Sequence, residues 1–185
     1  MYKNYEALDE GEKKDVVQRI YEGSEHIYSL LENLLTWSRS QRGLIEPHPT
    51  LLNLREMVDT NVNLHKVAAQ KKKITISCQV DRSIQVFGDQ NMIATVIRNL
   101  INNAVKFTPS TGKIMLTARQ KEAYICLLVT DTGIGISKED QKKLFRIDIN
   151  TKSIGSSKEK GTGLGLVLCK EFMEKKQGAN HCKKH

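Results

Sequence analysis

Three short stretches carry residue types whose spacing could do chemistry. In the first, Asn99-Leu-Ile-Asn-Asn103-Ala-Val-Lys106-Phe107, polar groups recur four and then three residues apart. On a helix those intervals stack side chains on one face. Two carboxamides and an ammonium in a row suit a phosphate and its metal. An amide oxygen can ligate Mg²⁺, and the ammonium balances phosphate charge. Alone, the pattern reads more readily as the solvated face of a helix, since Asn-x-x-x-Asn is a very weak motif.

The second stretch is Asp131-Thr-Gly133-Ile-Gly135-Ile136, directly after an apolar run. A carboxylate at a strand end can accept a hydrogen bond from a base amine, and two glycines let the backbone bend close around a ring. An ordinary Asp-x-Gly turn has the same signature. The third stretch is Gly161-Thr162-Gly163-Leu164-Gly165-Leu166. Alternating glycines before a helix expose N–H groups to an anion, and the helix dipole favours negative charge there. It has no Gly-Lys-Ser/Thr of a P-loop, and no strand leads directly into it. A glycine-rich helix start without ligand remains open. The Lys, Ser and Gly of residues 148–160 read as a loop before it, in the manner of a hinged lid.

These stretches need elements to hold them. Residues 91–107 read as a helix whose core stripe is Ile97, Leu100, Ile101 and Ala104, nearly opposite the polar row. Residues 113–120 and 124–130 read as a hairpin, and 164–176 as a last helix. A short helix is expected over 137–144, capped by Ser137. Upstream, 54–70 reads as a helix with Leu54, Met57, Val58, Val62, Leu64 and Val67 on its stripe and Asn61 interrupting it. Ile74, Ile76, Cys78 and Val80 alternate as in a strand, and 84–87 reads as a second short one. The order predicts an α+β fold, with helices on one face of a mixed sheet. One long helix is expected ahead of it over 12–42, ending at Gly43, Pro47 and Pro49. Its stripe through Val17, Ile20, Ile27, Leu31 and Leu34 calls for partner helices.

Composition bounds the function. The 185 residues are 39% hydrophobic and 27% charged, which suits a globular domain with a polar surface. No apolar run approaches the roughly 18 residues of a membrane span. The net charge of +8 fits any polyanionic ligand, but its lysine runs are scattered and lack interleaved aromatics, so nucleic acid is not expected. Cys78, Cys126, Cys169 and Cys182 have no CxxC spacing and read as reduced thiols of a cytoplasmic protein.

In order and spacing, the three stretches resemble the N, G1 and G2 boxes of sensor histidine kinases, and Leu144-Phe145 resembles a reduced F box. Leu34-Leu35-Thr36-Trp37-Ser38-Arg39 looks like the second helix of that family's dimerisation and phosphotransfer hairpin. The resemblance implies the α/β sandwich shared with gyrase-type ATPases, and ATP and Mg²⁺ as cofactors. It implies Asn103 as the main Mg²⁺ ligand, with Asn99 helping to hold metal and phosphates. Lys106 would contact the phosphates and Phe107 would pack near the nucleotide. Asp131 would bind the adenine amine, with Gly133, Gly135 and Ile136 shaping the base pocket. Gly161, Thr162, Gly163, Leu164, Gly165 and Leu166 would hold the phosphates, and Phe145 with residues 146–160 would form the lid.

Two departures qualify the resemblance. No histidine stands in an H box, where an acidic residue follows the phosphoacceptor. His26, His48, His65, His181 and His185 all lack that context. Beyond Gly178 a polar tail, 179–185, replaces the family's further strands. The expected layout is therefore 1–45 as a partial helical region, 46–178 as an ATP-binding domain short of its last strands, and 179–185 as tail. The chain is expected to bind ATP, to lack its own acceptor, and to dimerise weakly. A parent protein would supply the dimer, the response-regulator partner and any membrane anchor. A hydrolysing ATPase is disfavoured because relatives of that kind carry Glu where Asn99 stands. A non-catalytic nucleotide-binding module remains the other alternative.

Overall fold

A computed structural model describes residues 8–121, 124–145 and 164–175, apart from the side chains of Glu22, His26 and Lys175. The chain divides into two compact units, Met1–Ile45 and Glu46–His185.

The first unit is helix α1, Glu10–Gln41. Asp9 and Glu12 form a reciprocal capping box, which starts the helix two residues before the expected residue 12. At the other end Gly43 has φ +68°, and the amides of Gly43 and Leu44 return to the carbonyls of Ser40 and Arg39. This is a Schellman stop, and it satisfies two carbonyls that the helix itself cannot. The stripe from Val17 through Ile20, Ile27, Leu31 and Leu34 is exposed.

The second unit begins with strand β1, Pro49–Asn53, where the sequence shows only a boundary segment. It is held by antiparallel pairing with β3, Gln85–Asp89, in a two-stranded sheet. A five-residue strand opened by proline carries no clear alternation of its own, so its pairing partner decides the conformation. Helices α2, Leu54–Leu64, and α3, Lys66–Lys71, replace the single helix expected over 54–70. Asn61 explains the break. It is buried, and its Nδ2 donates to the Met57 carbonyl at 2.8 Å, while the His65 ring meets the Asn61 carbonyl at 2.9 Å. Such local bonds compete with the helix ladder. Leu64 and Val67, expected on the apolar stripe, are consequently exposed.

A three-stranded sheet runs in the order β2 (Thr75–Gln79), β4 (Lys113–Lys121), β5 (Tyr124–Asp131). The β2–β4 pair is parallel and the β4–β5 hairpin antiparallel, so the sheet is mixed. Helix α4, Gln90–Phe107, packs on α2 and against β5. The core joins Leu54 and Val58 of α2, Ile97, Ile101, Ala104 and Val105 of α4, and Ile114 and Leu116 of β4. Burial of each fully covered Ile or Leu contributes about 1.5–3 kcal/mol. Helix α5 is only Lys138–Gln141, shorter than the 137–144 expected, though Ser137 does cap it. Helix α6, Leu164–Lys175, packs on α4 through a side that buries Val167, Leu168, Cys169 and Phe172. No helix among the described residues is long and apolar enough to cross a membrane.

Candidate functional site

Helix α4 is the backbone of the site. Asp89 caps its start, accepting from the Met92 amide at 3.0 Å and the His48 amide at 2.9 Å. Burial pushes the Asp89 carboxyl up, but the amides of His48, Met92 and Asn91 outweigh it and hold the group below its ordinary value. The core stripe appears with Ile97, Ile101 and Ala104 buried and Leu100 half-buried. Asn99, Asn103 and Lys106 are half-buried on the helix, and the Lys106 ammonium lies 5.4 Å from the Phe107 ring centre.

The end of α4 meets the Asp131 turn. Pairing places Asp131 opposite Ile114, whose side chain is in the core, so the carboxylate springs from the helix-covered face at the strand end. It is exposed, and its Oδ1 accepts from the Gly133 amide at 2.8 Å, leaving Oδ2 for a ligand donor. The Ile134 amide reaches the Phe107 carbonyl at 3.4 Å. A Cβ on Gly133 would collide with Asp131 Oδ1 and come within 2.7 Å of the Phe107 carbonyl oxygen. The glycine is therefore required by close approach of turn and helix. Gly135 is required for a different reason, its φ of +70°. Ile134 and Ile136 are both exposed, 56% and 44%. An exposed carboxylate flanked by apolar side chains suits a flat ring carrying an amine.

The start of α6 meets the other end of the polar row. Leu164, Gly165 and Leu166 are half-buried there. A Cβ on Gly165 would lie 2.8 Å from Asn99 Oδ1. Asn99 Nδ2 is buried without a hydrogen-bond partner among the described residues, although its amide comes close enough to the Cys169 sulfur to favour the thiolate slightly. Burial dominates at Cys169 and pushes its thiol up to about 11. Phe145 is half-buried in the turn after α5. Gly161, Thr162, Gly163 and the loop 146–160 lie outside the described residues. So do the tail 179–185 with His181 and His185, and the side chain of His26.

Some residues that shape the site carry no motif. Thr132 Oγ1 accepts from the Lys113 amide at 2.9 Å, and a Cβ on Gly112 would come within 2.9 Å of the same oxygen. Lys72 donates to the carbonyls of Val105 and Lys106 near the end of α4. Inside the run Lys71-Lys72-Lys73 it reads as solvated charge. Only the fold shows that its ammonium has a fixed place.

No cluster of three His, Cys, Asp or Glu suited to a metal occurs among the described residues. Mg²⁺ does not require one, because it keeps waters and phosphate oxygens and takes few protein ligands. The Asn103 amide oxygen fits that role. The buried Asn99 Nδ2 beside Gly165, without a hydrogen-bond partner among the described residues, offers a donor to a phosphate oxygen.

Comparison with known proteins points the same way. Residues 88–184 match the family model described as histidine kinase-, DNA gyrase B-, and HSP90-like ATPase. The sensor-like histidine kinase SenX3 of Mycolicibacterium smegmatis is 30% identical over 178 residues, covering 94% of this chain and 45% of SenX3. The sensor protein KdpD of Clostridium acetobutylicum is 32% identical over 172 residues, covering 92% of this chain and 19% of KdpD. This chain thus spans less than half the length of either relative. Among solved structures, the catalytic domain of histidine kinase ThkA superposes with a TM-score of 0.63 at 28% identity, covering 71% of this chain and 83% of that domain. The Acinetobacter baumannii histidine kinase AdeS, at 22% identity, shares the fold with a TM-score of 0.68, covering 90% of this chain and 74% of AdeS.

Proposed function

The chain belongs to the histidine kinase-, DNA gyrase B- and HSP90-like ATPase family as an ATP-binding domain of the sensor histidine kinase type, and from that premise we propose the roles of its residues. It binds Mg-ATP across α4, as the nucleotide-holding part of a kinase that passes the γ-phosphoryl group to a histidine. The observation that carries this reading is the convergence on one helix. Gly133 leaves no room for a side chain against the Phe107 carbonyl, and Gly165 none against the Asn99 side chain, so the turn after β5 and the start of α6 flank a single row of polar groups.

In this reading Asp131 accepts from the adenine amine through Oδ2, and Ile134 and Ile136 cover the ring. Gly133 and Gly135 keep the backbone close to it. Lys106 balances phosphate charge, Phe107 packs near the nucleotide, and Asn103 offers its amide oxygen to Mg²⁺. Asn99 helps to hold the metal and the phosphates. When bound, Mg²⁺ neutralises charge on the phosphate oxygens, and catalysis of this kind rests on positioning and charge rather than covalent chemistry. Gly161, Thr162, Gly163, Leu164, Gly165 and Leu166 cradle the phosphates, with Phe145 and residues 146–160 as the lid. No Glu occurs in α4, which disfavours hydrolysis of ATP as the main task.

The acceptor histidine lies on another segment or chain. His48 is exposed and His65 is engaged with the Asn61 carbonyl, and neither is followed by an acidic residue. The exposed stripe of α1 supports dimerisation through helices supplied by a parent protein. The structure of ThkA in complex with the response regulator protein TrrA supports a response regulator as the parent's partner. Use of ATP supports a cytoplasmic location for the domain.

Calorimetry with ATP, with and without Mg²⁺, tests the reading. Binding that strengthens with the metal is expected, and no heat under either condition would overturn it. Transfer of label from γ-labelled ATP to an added H-box fragment then distinguishes a kinase domain from a nucleotide-binding module. The chain alone is expected to acquire no acid-labile label.

A further inference from the structure

Lys72 sits in the turn after α3, outside every stretch singled out for chemistry. Its Nζ donates to the carbonyls of Val105 at 3.1 Å and Lys106 at 2.8 Å. These are among the last carbonyls of α4, which lack intrahelical partners and carry the negative end of the helix dipole. The next carbonyl, Phe107, accepts from Ile134 and stands against Gly133. Three successive carbonyls are thus capped from two directions, the first two by a lysine and the third by the turn that follows Asp131. The main chain of Lys72 is braced as well. Its carbonyl accepts from the Thr111 amide at 2.9 Å, and its amide donates to the Ala68 carbonyl at 3.4 Å. Lys73 and Thr111 both adopt left-handed φ values, +55° and +67°. Non-glycine residues hold that conformation only where their surroundings enforce it.

We propose that Lys72 is a positioning residue for the nucleotide site: its ammonium fixes the end of α4 and, through the Phe107 carbonyl, sets the Gly133–Ile134 turn that borders the base pocket. The inference rests on the ATP-site reading above. A long stem ending in several donors and a positive charge is what two adjacent helix-end carbonyls require. A neutral stem of similar length leaves both carbonyls without their partner, and the helix end can then shift relative to the turn.

The test uses the whole chain with Lys72→Met and Lys72→Arg. Three quantities are read: the ¹H–¹⁵N resonances of Gly133 and Ile134 without nucleotide, the calorimetric affinity for a non-hydrolysable ATP analogue with Mg²⁺, and the melting temperature. In Lys72→Met both amide resonances move, and affinity falls about tenfold at a temperature where the protein remains folded, as expected for loss of charged hydrogen bonds. Lys72→Arg restores most of both. Unmoved resonances, or a lowered melting temperature with unchanged affinity, would reduce Lys72 to a stabilising role and overturn the proposal. Should Lys72→Met not fold, Lys72→Gln is read by the same three quantities, and the same results support or overturn the proposal. If the wild type binds no analogue, the nucleotide reading fails, and the resonances still decide whether Lys72 sets the turn.

Discussion

Gly165 lies so close to Asn99 that an added Cβ would stand 2.8 Å from the Asn99 Oδ1 and 3.3 Å from its Cγ. The first turn of α6 therefore rests directly on the polar row of α4, with no side chain between. Cys169, one turn further on, is buried near the same amide. Two motifs more than sixty residues apart in sequence are in this way one packing unit.

Gly165→Ala tests that contact. Ala gains at most about 1 kcal/mol of helix propensity, and less in a first turn, whereas overpacking costs about 1–3 kcal/mol. Net destabilisation is expected. Asn99→Ala removes the atoms that the new Cβ meets, so the double variant is more stable than the sum of the single losses predicts, by about 1–2 kcal/mol. Urea unfolding of all four proteins measures the coupling. Strict additivity would mean that the two residues do not press on each other.

Asp131→Asn separates ligand binding from folding. The Gly133 amide needs only an acceptor oxygen, which Asn retains, so the turn persists. A base amine meeting Oδ2 of the carboxylate would instead meet an amide donor. Loss of a hydrogen bond to a charged group costs about 1.5–3 kcal/mol. ATP affinity is expected to fall by that amount with the melting temperature unchanged. A folded variant with wild-type affinity would remove Asp131 from the base pocket.

Much of this site is legible in the sequence because its signals are local. The 3.6-residue period of α4 sets Asn99, Asn103 and Lys106 on a face away from Ile97 and Ile101, and burial of those two follows it. The strand before Asp131 and the glycines after it stand out in the same local way. Long-range features are not legible. β1 owes its conformation to pairing with β3, more than thirty residues away. Asn61 looks like a flaw in a stripe, yet it is buried and ends a helix through bonds to residues four positions on either side. Lys72 looks like surface charge because nothing nearby in sequence reveals that α4 ends beside it.

Asn103→Ala tests the metal role. An amide oxygen ligating Mg²⁺ matters only when the metal is present, whereas a general packing role would affect both forms of the nucleotide. The variant is expected to lose more affinity for Mg-ATP than for ATP in chelator, by about tenfold on the scale of lost ligand groups. Titrations in Mg²⁺ and in EDTA give the two values. Equal losses would exclude Asn103 as a ligand.

Asp89 gives a pH dependence whose direction follows from its contacts. The amides of His48 and Met92 hold its carboxylate in the folded state, and its value lies below the ordinary 3.8. Through the acid range the unfolded chain therefore binds the proton more readily than the folded one, and stability rises with pH there. The contribution is fully present above the ordinary carboxylate value and is lost as pH falls through the lower folded value. Asp89→Asn keeps a capping oxygen but lacks the charge, so it is less stable than wild type near neutrality, by about 1 kcal/mol on the scale of helix caps and the dipole. Urea unfolding of both proteins near neutrality, and at steps down through the acid limb, is expected to show that gap shrinking below roughly pH 4, where the unfolded carboxylate takes up its proton. A gap that stays constant across the whole range would show that hydrogen-bond geometry alone, and not the charge of Asp89, holds the start of α4.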